Sequence, residues 1–195
     1  MKKKIIIFGA GGHALSCIDV IENSSKYKII FLLEKKEEDK KILNYSIYKE
    51  KKDLKYYKKF TKFAFIGVGQ MSAVSIRKKI FDKLIKEKFS LPSIISNKSS
   101  ISKNVKIGIG TIVMHGVKIN SGVEIGKNCI INTGSIIEHG SIIGDNCHIS
   151  TGVILNGNVI IGRNSFIGSG SILREDIKIK KNSFIKMGSI LKKNK

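Results

Sequence analysis

The sequence predicts a mixed fold, α/β followed by all-β: a small α/β unit, then a parallel β-helix built from hexapeptide repeats. Strand and helix patterns alternate before Pro92, and a six-residue aliphatic rhythm runs without a break after it. Pro92 is the only proline among 195 residues, and it stands where the pattern changes. We therefore expect two domains, residues 1–92 and residues 93–195.

The first half alternates short apolar runs with helical patterns. Strands are predicted at residues 5–8, 27–34 and 63–67, with helices at residues 14–22 and 75–88. Residues 35–59 are rich in lysine and weakly patterned. Alternation of this kind is typical of a parallel sheet flanked by helices.

The second half repeats with a period of six. Every sixth residue from Ile95 to Leu191 is aliphatic, and the fourth residue after each is small or β-branched. Such repeats build a parallel β-helix, in which each hexapeptide supplies one short strand and one turn. Three hexapeptides make one coil, which gives about five coils. Glycine also recurs every 18 residues, at a place that requires either positive φ or close packing: Gly108, Gly126, Gly144 and Gly162.

The charge is strongly positive but does not favour nucleic acid as the main ligand. The chain has 36 basic and 15 acidic residues, a net charge of +21. Only Arg77, Arg163 and Arg174 are arginine, the residue that reads phosphates and guanine with a forked donor. The lysines are spread along the chain, and we expect no interleaving with aromatic residues for base stacking. The positive charge should instead attract small anions such as nucleotides.

Neither a membrane span nor a secretory signal is predicted. No apolar run approaches the ~18 residues of a spanning helix. The lysines at the start precede an apolar run too short for a signal peptide, and acidic residues follow it. We expect a cytoplasmic protein.

The three cysteines favour packing over disulfide or metal chemistry. Their number is odd, which argues against a disulfide framework. Cys129 and Cys147 are 18 residues apart and should stack as small inward residues in adjacent coils. A zinc pair at Cys129 and Cys147 would need further ligands, and none has the same phase in the repeat.

The turn after the first strand fits the pattern G-x-G-x-x-G/A. It runs from Gly9 to Ala14, and acidic Glu34 follows about 20 residues later, which is the context of a dinucleotide-binding turn. Backbone N–H groups and a helix N-terminus at such a turn face an anion. The unit is about half of a full dinucleotide fold, so we interpret it as a Rossmann-like site for a nucleotide or nucleotide-sugar. NAD binding and a purely structural turn remain alternatives.

Histidines supply the candidate chemistry. His13 lies in the glycine turn, and His115, His139 and His148 lie on the repeat. His115 and His139 occupy outward positions on different sides of the prism. A three-histidine metal site shared between neighbouring subunits is an alternative use of such residues.

Several segments together resemble the NeuD/PglD-type sugar acetyltransferases. They are residues 6–13 (IIFGAGGH), 66–69 (IGVG), 77–80 (RKKI), 128–134 (NCIINTG), 137–139 (IEH) and 143–150 (IGDNCHIS). The resemblance implies that the β-helix is left-handed. It also implies a homotrimer that transfers acetyl from acetyl-CoA to a nucleotide-linked amino sugar, in the synthesis of surface glycan precursors, without a metal.

The resemblance assigns roles to matching positions. His139 matches the general base that deprotonates the acceptor amine or hydroxyl, which suits imidazole near neutral pH. Asn132 matches a polar residue beside the base, and His148 matches a residue that contacts acetyl-CoA. Acetyl-CoA in a groove between neighbouring β-helices would meet Gly157, Ser169 and Met187. The nucleotide-sugar would be held by Gly11, Gly12, His13, Glu34, Lys35 and Gly67.

The sequence departs from the family at one chemically important position. The acidic residue that usually follows the catalytic histidine is replaced by Gly140. Glu138 precedes His139 but should point elsewhere, because neighbouring residues on a strand alternate faces. Three alternatives therefore stay open: a non-catalytic nucleotide-sugar-binding or scaffold protein, a sialic acid O-acetyltransferase, and a metal-dependent hydratase.

Overall fold

The first domain is a five-stranded sheet with helices on its two faces. The computed structural model describes residues 1–35, 41–71 and 76–194. In chain order the elements are β1 (Lys3–Phe8), α1 (Gly12–Asn23), β2 (Tyr27–Glu34), β3 (Lys41–Ile42), β4 (Tyr45–Lys49), a 3-10 helix (Leu54–Lys59), β5 (Ala64–Ile66) and α2 (Ile76–Lys86). The predicted strands and helices are therefore present, and β3, β4 and the 3-10 helix are additional. Ser75, the predicted start of the second helix, lies outside the described residues.

The strand order is β3-β4-β2-β1-β5, and among the described strands only the β3–β4 pair is antiparallel. β1 lies between β2 and β5 and is fully apolar where it is buried, so its two faces pack into two different cores. Ile5 and Ile7 pack with α1, whereas Ile6 and Phe8 pack towards Phe89. The carboxyl ends of β1, β2 and β5 consequently meet at one edge, where ligands bind in open parallel sheets.

The second domain is a parallel β-helix of two-residue strands. Its three sheets contain six, five and six strands. The strands are β6 (Ile94–Ile95), β7 (Ser100–Ile101), β8 (Lys106–Ile107), β9 (Ile112–Val113), β10 (Lys118–Ile119), β11 (Glu124–Ile125), β12 (Ile130–Ile131), β13 (Ile136–Ile137), β14 (Ile142–Ile143), β15 (His148–Ile149), β16 (Ile154–Leu155), β17 (Ile160–Ile161), β18 (Phe166–Ile167), β19 (Ile172–Leu173), β20 (Lys178–Ile179), β21 (Phe184–Ile185) and β22 (Ile190–Leu191).

The six-residue rhythm has the predicted physical basis. The aliphatic residue of each strand points inward, and from Val113 to Ile185 these residues are 0–4 % exposed. The glycines that recur every 18 residues serve close packing and do not need positive φ. A Cβ at Gly108 would lie 2.6 Å from the backbone of Gly126 in the next coil. Adjacent coils therefore touch through bare backbone at that vertex.

The three sheets form the faces of a triangular prism. The docking face, formed by β6, β9, β12, β15, β18 and β21, carries the α/β domain on most of its length: Ile112 and Ile130 are fully buried on its outer side. The isoleucine face is formed by β7, β10, β13, β16, β19 and β22. The third face is formed by β8, β11, β14, β17 and β20.

Two vertices of the prism matter for the site. The near vertex comprises the turns between the docking and isoleucine faces, at 132–135 and its 18-residue equivalents. The far vertex comprises the turns between the isoleucine face and the third face, at 138–141 and its equivalents. In a triangular prism the far vertex lies opposite the docking face.

Arg77 links the two domains by hydrogen bonds. Its side chain is fully buried, and burial lowers its pKa to about 10. The guanidinium donates to the carbonyls of Ile66 (2.6 Å) and Val68 (3.0 Å) in the first domain. It also donates to those of Gly110 (3.0 Å) and Asn128 (3.4 Å) in the β-helix. One side chain thus satisfies backbone acceptors on both sides of the interface.

His115 forms a second link between the domains. Its Nε2 lies 2.6 Å from Asp19 of α1, and its Nδ1 lies 2.6 Å from the Ser96 hydroxyl. The residue types are those of a hydrolase triad, but Ser96 is only 2 % exposed and its oxygen already accepts the N–H of Lys98. The arrangement therefore serves packing of α1 on the β-helix. Among the described helices, none is long and apolar enough to cross a membrane.

Candidate active site

A cavity of about 310 Å³ opens at the carboxyl edge of the α/β sheet. The glycine turn forms one wall. Gly9 has φ of +100°, and a Cβ there would lie 2.4 Å from Val68, so only glycine fits the sharp exit from β1. The Gly11 N-cap offers no side-chain cap to α1, which leaves N–H groups of the first turn available for an anion.

Glu34 lies against the same turn. Its Oε2 accepts the N–H of Ala10 at 3.1 Å, and its Oε1 accepts the N–H of Lys35 at 2.8 Å. The carboxylate is therefore fixed beside the helix N-terminus, where it can accept hydrogen bonds from ligand hydroxyl or base N–H groups.

The cavity gathers every residue predicted for the nucleotide-sugar: Gly11, Gly12, His13, Glu34, Lys35 and Gly67. It also has lining residues for which no ligand contact was predicted: Gly9, Leu33, Glu50, Val68, Gly69, Ile76 and Ile80. The binding role of the six predicted residues stays a prediction. In the sequence, Ile76 and Ile80 are part of a predicted helix, and a helical pattern gives no indication of a cavity.

His13 is the most perturbed group at the cavity. Burial, with the nearby charge of Arg77, lowers its pKa to about 3, so the ring is neutral at pH 7. Its Nε2 is buried and has no hydrogen-bond partner within the described part of the chain. A buried polar atom of this kind is costly unless a ligand or water pairs with it.

His148 lies at the junction of the two domains. It is 7 % exposed, and burial lowers its pKa to about 4, which keeps the ring neutral. The Gln70 carbonyl, 2.6 Å from Nδ1, can only accept, so Nδ1 carries the proton. The Asn132 amide then donates to Nε2 at 3.2 Å. Both ring nitrogens are engaged within the chain, and the ring contacts Phe166 edge-on at 5.2 Å between centroids.

His139 stands exposed at the far vertex, above bare backbone. A Cβ at Gly157, directly below in the next coil, would lie 2.7 Å from Cε1 and 2.8 Å from Nε2 of the imidazole. Gly157 therefore provides the space in which the ring lies. Gly157, which the resemblance predicts in the acetyl-CoA groove, therefore also positions the histidine.

Replacing Gly157 by alanine should displace the imidazole without unfolding the protein. Gly157 does not have positive φ, so the backbone accepts alanine, and the exposed ring can move aside. A displacement of about 1 Å costs about 100-fold in rate when geometry is essential. We expect kcat/KM to fall by that order while the melting temperature changes by less than about 4 °C.

Glu175→Ala is the matched control for Gly157→Ala. Glu175 occupies the equivalent position one coil beyond Gly157, with a side chain 59 % exposed. It should leave kcat/KM within about twofold, since isolated surface changes have small effects. Equal activity of Gly157→Ala and wild type would contradict the positioning of His139 by Gly157.

Comparisons with known proteins bear on this geometry. Residues 4–84 match the model of the PglD N-terminal domain. Residues 122–157 match the bacterial transferase hexapeptide, and residues 158–193 match the hexapeptide repeat of succinyl-transferase. No curated protein sequence gives a significant match.

Three solved structures have the same fold over nearly the whole chain. PerB from Caulobacter crescentus, in complex with CoA and GDP-perosamine, is 26 % identical with a TM-score of 0.90, covering 98 % of this chain and 89 % of that chain. A variant of perosamine N-acetyltransferase from the same organism is 24 % identical with a TM-score of 0.92 and the same coverage. The acetyltransferase domain of PglB from Neisseria gonorrhoeae, in complex with acetyl coenzyme A, is 22 % identical with a TM-score of 0.88, covering 100 % and 93 %.

The PglD-type first domain joined to hexapeptide repeats decides the assignment. The chain has the domain architecture of the NeuD/PglD-type sugar acetyltransferases. The predicted fold class, a Rossmann-like α/β domain before a left-handed parallel β-helix, is confirmed. The prediction of an acyltransferase is confirmed as well.

Gly140 stands where the resemblance predicts an acidic residue directly after His139. Its φ is +68°, and a Cβ would lie 2.3 Å from Oδ1 of Asn158, so no acidic residue fits with Asn158 in place. The Asn158 amide donates to Asp176 at 3.2 Å, which holds it there. Glu138 accepts a hydrogen bond from the side-chain amide of Asn120 in the preceding coil.

Three of the four predicted acetyl-CoA residues divide between the two vertices, and the fourth, His148, lies on the docking face. Gly157 lies with His139 at the far vertex, whereas Ser169 and Met187 stack at the near vertex, where the Ser169 hydroxyl lies 2.8 Å from that of Ser150. Met187 is 78 % exposed. Asn132 is also at the near vertex: within one chain it contacts His148 and not His139, because the two turns belong to different vertices.

The cysteines have the predicted packing role. Cys129 and Cys147 are fully buried, and the N–H of Cys147 points to Cys129 Sγ at 3.5 Å. Burial raises the pKa of both thiols, that of Cys147 to about 12. The described residues contain no group of three or more His, Cys, Asp or Glu side chains arranged to hold a metal.

Proposed function

We propose that this protein transfers the acetyl group of acetyl-CoA to the amine of a nucleotide-linked amino sugar. The observation that carries the proposal is the exposed imidazole of His139, which lies over Gly157 in a β-helix of bacterial-transferase hexapeptide repeats. The amino nitrogen attacks the thioester carbonyl, a C–N bond forms, and the C–S bond breaks. His139 takes the proton from nitrogen, and the CoA sulfur leaves as a thiolate that is then protonated.

Positioning supplies most of the rate in such a direct transfer. The cavity at the carboxyl edge would hold the nucleotide, its diphosphate lying at the N-terminus of α1 and its hydroxyl groups at Glu34. The high positive charge of the chain favours two anionic substrates, acetyl-CoA and the nucleotide-sugar.

The site we propose is shared between subunits. The cavity belongs to the domain on the docking face, whereas His139 lies at the opposite vertex, so one chain cannot bring them together. If the isoleucine face surrounds a three-fold axis, the far vertex of one subunit meets the near vertex of the next. His139 and Gly157 of one subunit then face Ser169 and Met187 of its neighbour across an acetyl-CoA groove.

The isoleucine face has the character of such an interface. Its outward positions in the last four coils are all isoleucine, and the last two are 36 % and 66 % exposed: Ile136, Ile154, Ile172 and Ile190. Exposed apolar rows of this kind mark protein–protein contacts. We therefore propose a homotrimer.

Replacing Ile154 and Ile172 together by glutamate should dissociate the trimer. Buried unpaired charge at an interface costs several kcal/mol per group, of the order that holds subunits together. Sedimentation equilibrium should show the monomer mass of 21.6 kDa, and acetyl transfer should be lost because each site needs two subunits.

The control for Ile154→Glu with Ile172→Glu is Lys178→Glu, an exposed outward position on the third face. It should keep the trimer and the activity. An active monomer would contradict the shared site, and a double variant that stays trimeric would place the interface elsewhere.

The pathway and compartment belong to the same proposal. N-acetylated nucleotide amino sugars are precursors of surface glycans, and we propose that role here. Three buried free cysteines fit a reducing compartment such as the cytoplasm.

The experiment that tests the function is a panel of acceptors. Thiol release from acetyl-CoA is followed with UDP-, dTDP- and GDP-linked amino sugars and with their hydroxyl analogues. Turnover with an amino sugar and none with its hydroxyl analogue is the expected result. Turnover only with hydroxyl acceptors would make the protein an O-acetyltransferase. Acetyl-CoA binding with no turnover on any acceptor would contradict the proposal.

A further inference from the structure

A second cavity, separate from the candidate active site, lies on the α/β domain. It has a volume of about 510 Å³ and lies between β2, β4 and the 3-10 helix. We call it the aromatic groove and define it by Phe31, Tyr48, Tyr56, Tyr57 and Phe60. None of these five lines the cavity at the glycine turn.

Three rings of the groove are unusually open to solvent. Tyr48 is 55 %, Tyr56 37 % and Phe60 42 % exposed, and the rings of Tyr56 and Phe60 are in contact, with 5.9 Å between their centroids. Tyr48 and Phe60 both stand at 90° to the Phe31 ring, with centroids 5.3 and 5.5 Å away. Phe31 thus lies at the base between two exposed rings. Clustered exposed aromatic side chains of this kind indicate a binding surface.

The floor of the groove is fixed from below. The Tyr57 hydroxyl donates to the carbonyl of Lys49 at 3.1 Å and accepts the N–H of Lys51 at 2.9 Å. Tyr57 is 3 % exposed and packs against Phe8 of the core, with 6.3 Å between ring centroids. The rings above it are therefore presented by a rigid element.

Lysines converge on the rings. The ammonium groups of Lys51 and Lys59 lie 3.5 and 3.7 Å from the centroid of Tyr56, and Lys4 also lines the groove. A hydrogen bond from Lys59, together with the charges of Lys51 and Lys59, lowers the pKa of the Tyr56 hydroxyl. The lining residues that the structure describes include no carboxylate. The expectation that lysines and aromatic residues do not interleave is wrong here, because the 3-10 helix brings them to one surface.

We propose that the aromatic groove is a second ligand site, which binds a nucleotide: a planar base on the exposed rings and a phosphate on the Lys51–Lys59 pair. The volume is that of a site for one small molecule. Rings beside basic side chains are the combination that binds bases without sequence selectivity. A neutral sugar would leave the converging ammonium groups without an anion, and an inorganic anion would leave the rings unused.

The chain offers a selective probe of this groove. It has five tyrosines and no tryptophan, and three of the tyrosines line the groove, whereas none lines the cavity at the glycine turn. In protein labelled with 3-fluorotyrosine, UMP should move the fluorine resonances of Tyr48, Tyr56 and Tyr57. Nucleotide at the glycine-turn cavity lies against no tyrosine, so the two sites are distinguished directly.

Variants test the chemistry of the site. Lys51→Glu with Lys59→Glu should weaken UMP binding at least about tenfold, because like charges then face the phosphate. Phe60→Ala should weaken it about tenfold through lost stacking. Lys2→Glu with Lys26→Glu changes the net charge equally at a different cavity and should leave binding unchanged.

A series of ligands distinguishes a free nucleotide from a single-stranded nucleic acid and tests the proposal against other anions. A uridine hexamer that binds more tightly than UMP would identify single strands as the source, and equal or weaker binding would identify free nucleotide. The proposal is overturned if UMP moves none of the three resonances. It is also overturned if inorganic phosphate or a glutamate-rich peptide moves them as effectively as UMP, or if the charge-reversed variant binds as wild type does.

Discussion

Replacing His139 by alanine should lower kcat/KM by about 10²–10⁴-fold, the usual contribution of a general base. The imidazole is exposed and rests on Gly157, so removing it leaves no cavity and no buried polar group unpaired. Acetyl-CoA affinity and melting temperature should therefore stay close to those of the wild type. Steady-state thiol release and isothermal titration with CoA measure the two quantities separately.

Exogenous imidazole sharpens the His139→Ala experiment. Because the position is open to solvent, added imidazole should restore part of the lost rate in His139→Ala. It should restore none in Gly157→Ala, where the alanine methyl group fills the space that the ring needs. The control variant Glu175→Ala should leave the rate unchanged. If His139→Ala also leaves the rate unchanged, His139 has no part in the mechanism.

Replacing Arg77 by alanine should destabilise the protein by at least about 3 kcal/mol. The substitution leaves four backbone carbonyls without their donor and opens a cavity in place of a fully buried side chain. For a chain of this length that loss lowers the melting temperature by roughly 6–12 °C. Because two of the carbonyls belong to each domain, the α/β domain should lose protection against proteolysis first.

Arg77→Lys and Arg174→Ala complete the stability series. Lysine keeps the charge but has a single nitrogen in place of the planar fork, so Arg77→Lys should be intermediate. Arg174 is a surface residue with a side chain 59 % exposed, and Arg174→Ala should change the melting temperature little. If Arg77→Ala melts within about 2 °C of Arg174→Ala, Arg77 does not hold the domains together.

The β-helix could be predicted almost completely from the sequence because its signal is local. Each aliphatic residue has the same neighbours in every coil, so the period alone determines which side chains point inward, as at Val113 and Ile185. The strands between Glu34 and Ala64 were missed for the opposite reason. β4 is held by parallel pairing with β2, a contact between distant segments that leaves no period in the sequence.

The candidate site could be predicted in its parts but not in its assembly. The cavity residues in the glycine turn could be predicted, since their spacing is set by local backbone geometry. The hydrogen bond between Asn132 and His148 could not be predicted, because it depends on where each residue lies on the prism. Arg77 had one available signal: it is one of three arginines in a chain whose other basic residues are lysine. A buried side chain that donates to four carbonyls needs the guanidinium fork.

The central claim is that His139 serves acetyl transfer from acetyl-CoA to a nucleotide-linked amino sugar. The most direct test follows the acetylated sugar by mass spectrometry together with thiol release, for wild type and His139→Ala at matched enzyme concentrations. The account predicts one acetyl group on the amino nitrogen for each thiol released by the wild type, and a rate at least about 100-fold lower in His139→Ala. Thiol release without an acetylated acceptor, or equal rates in the two proteins, would contradict it.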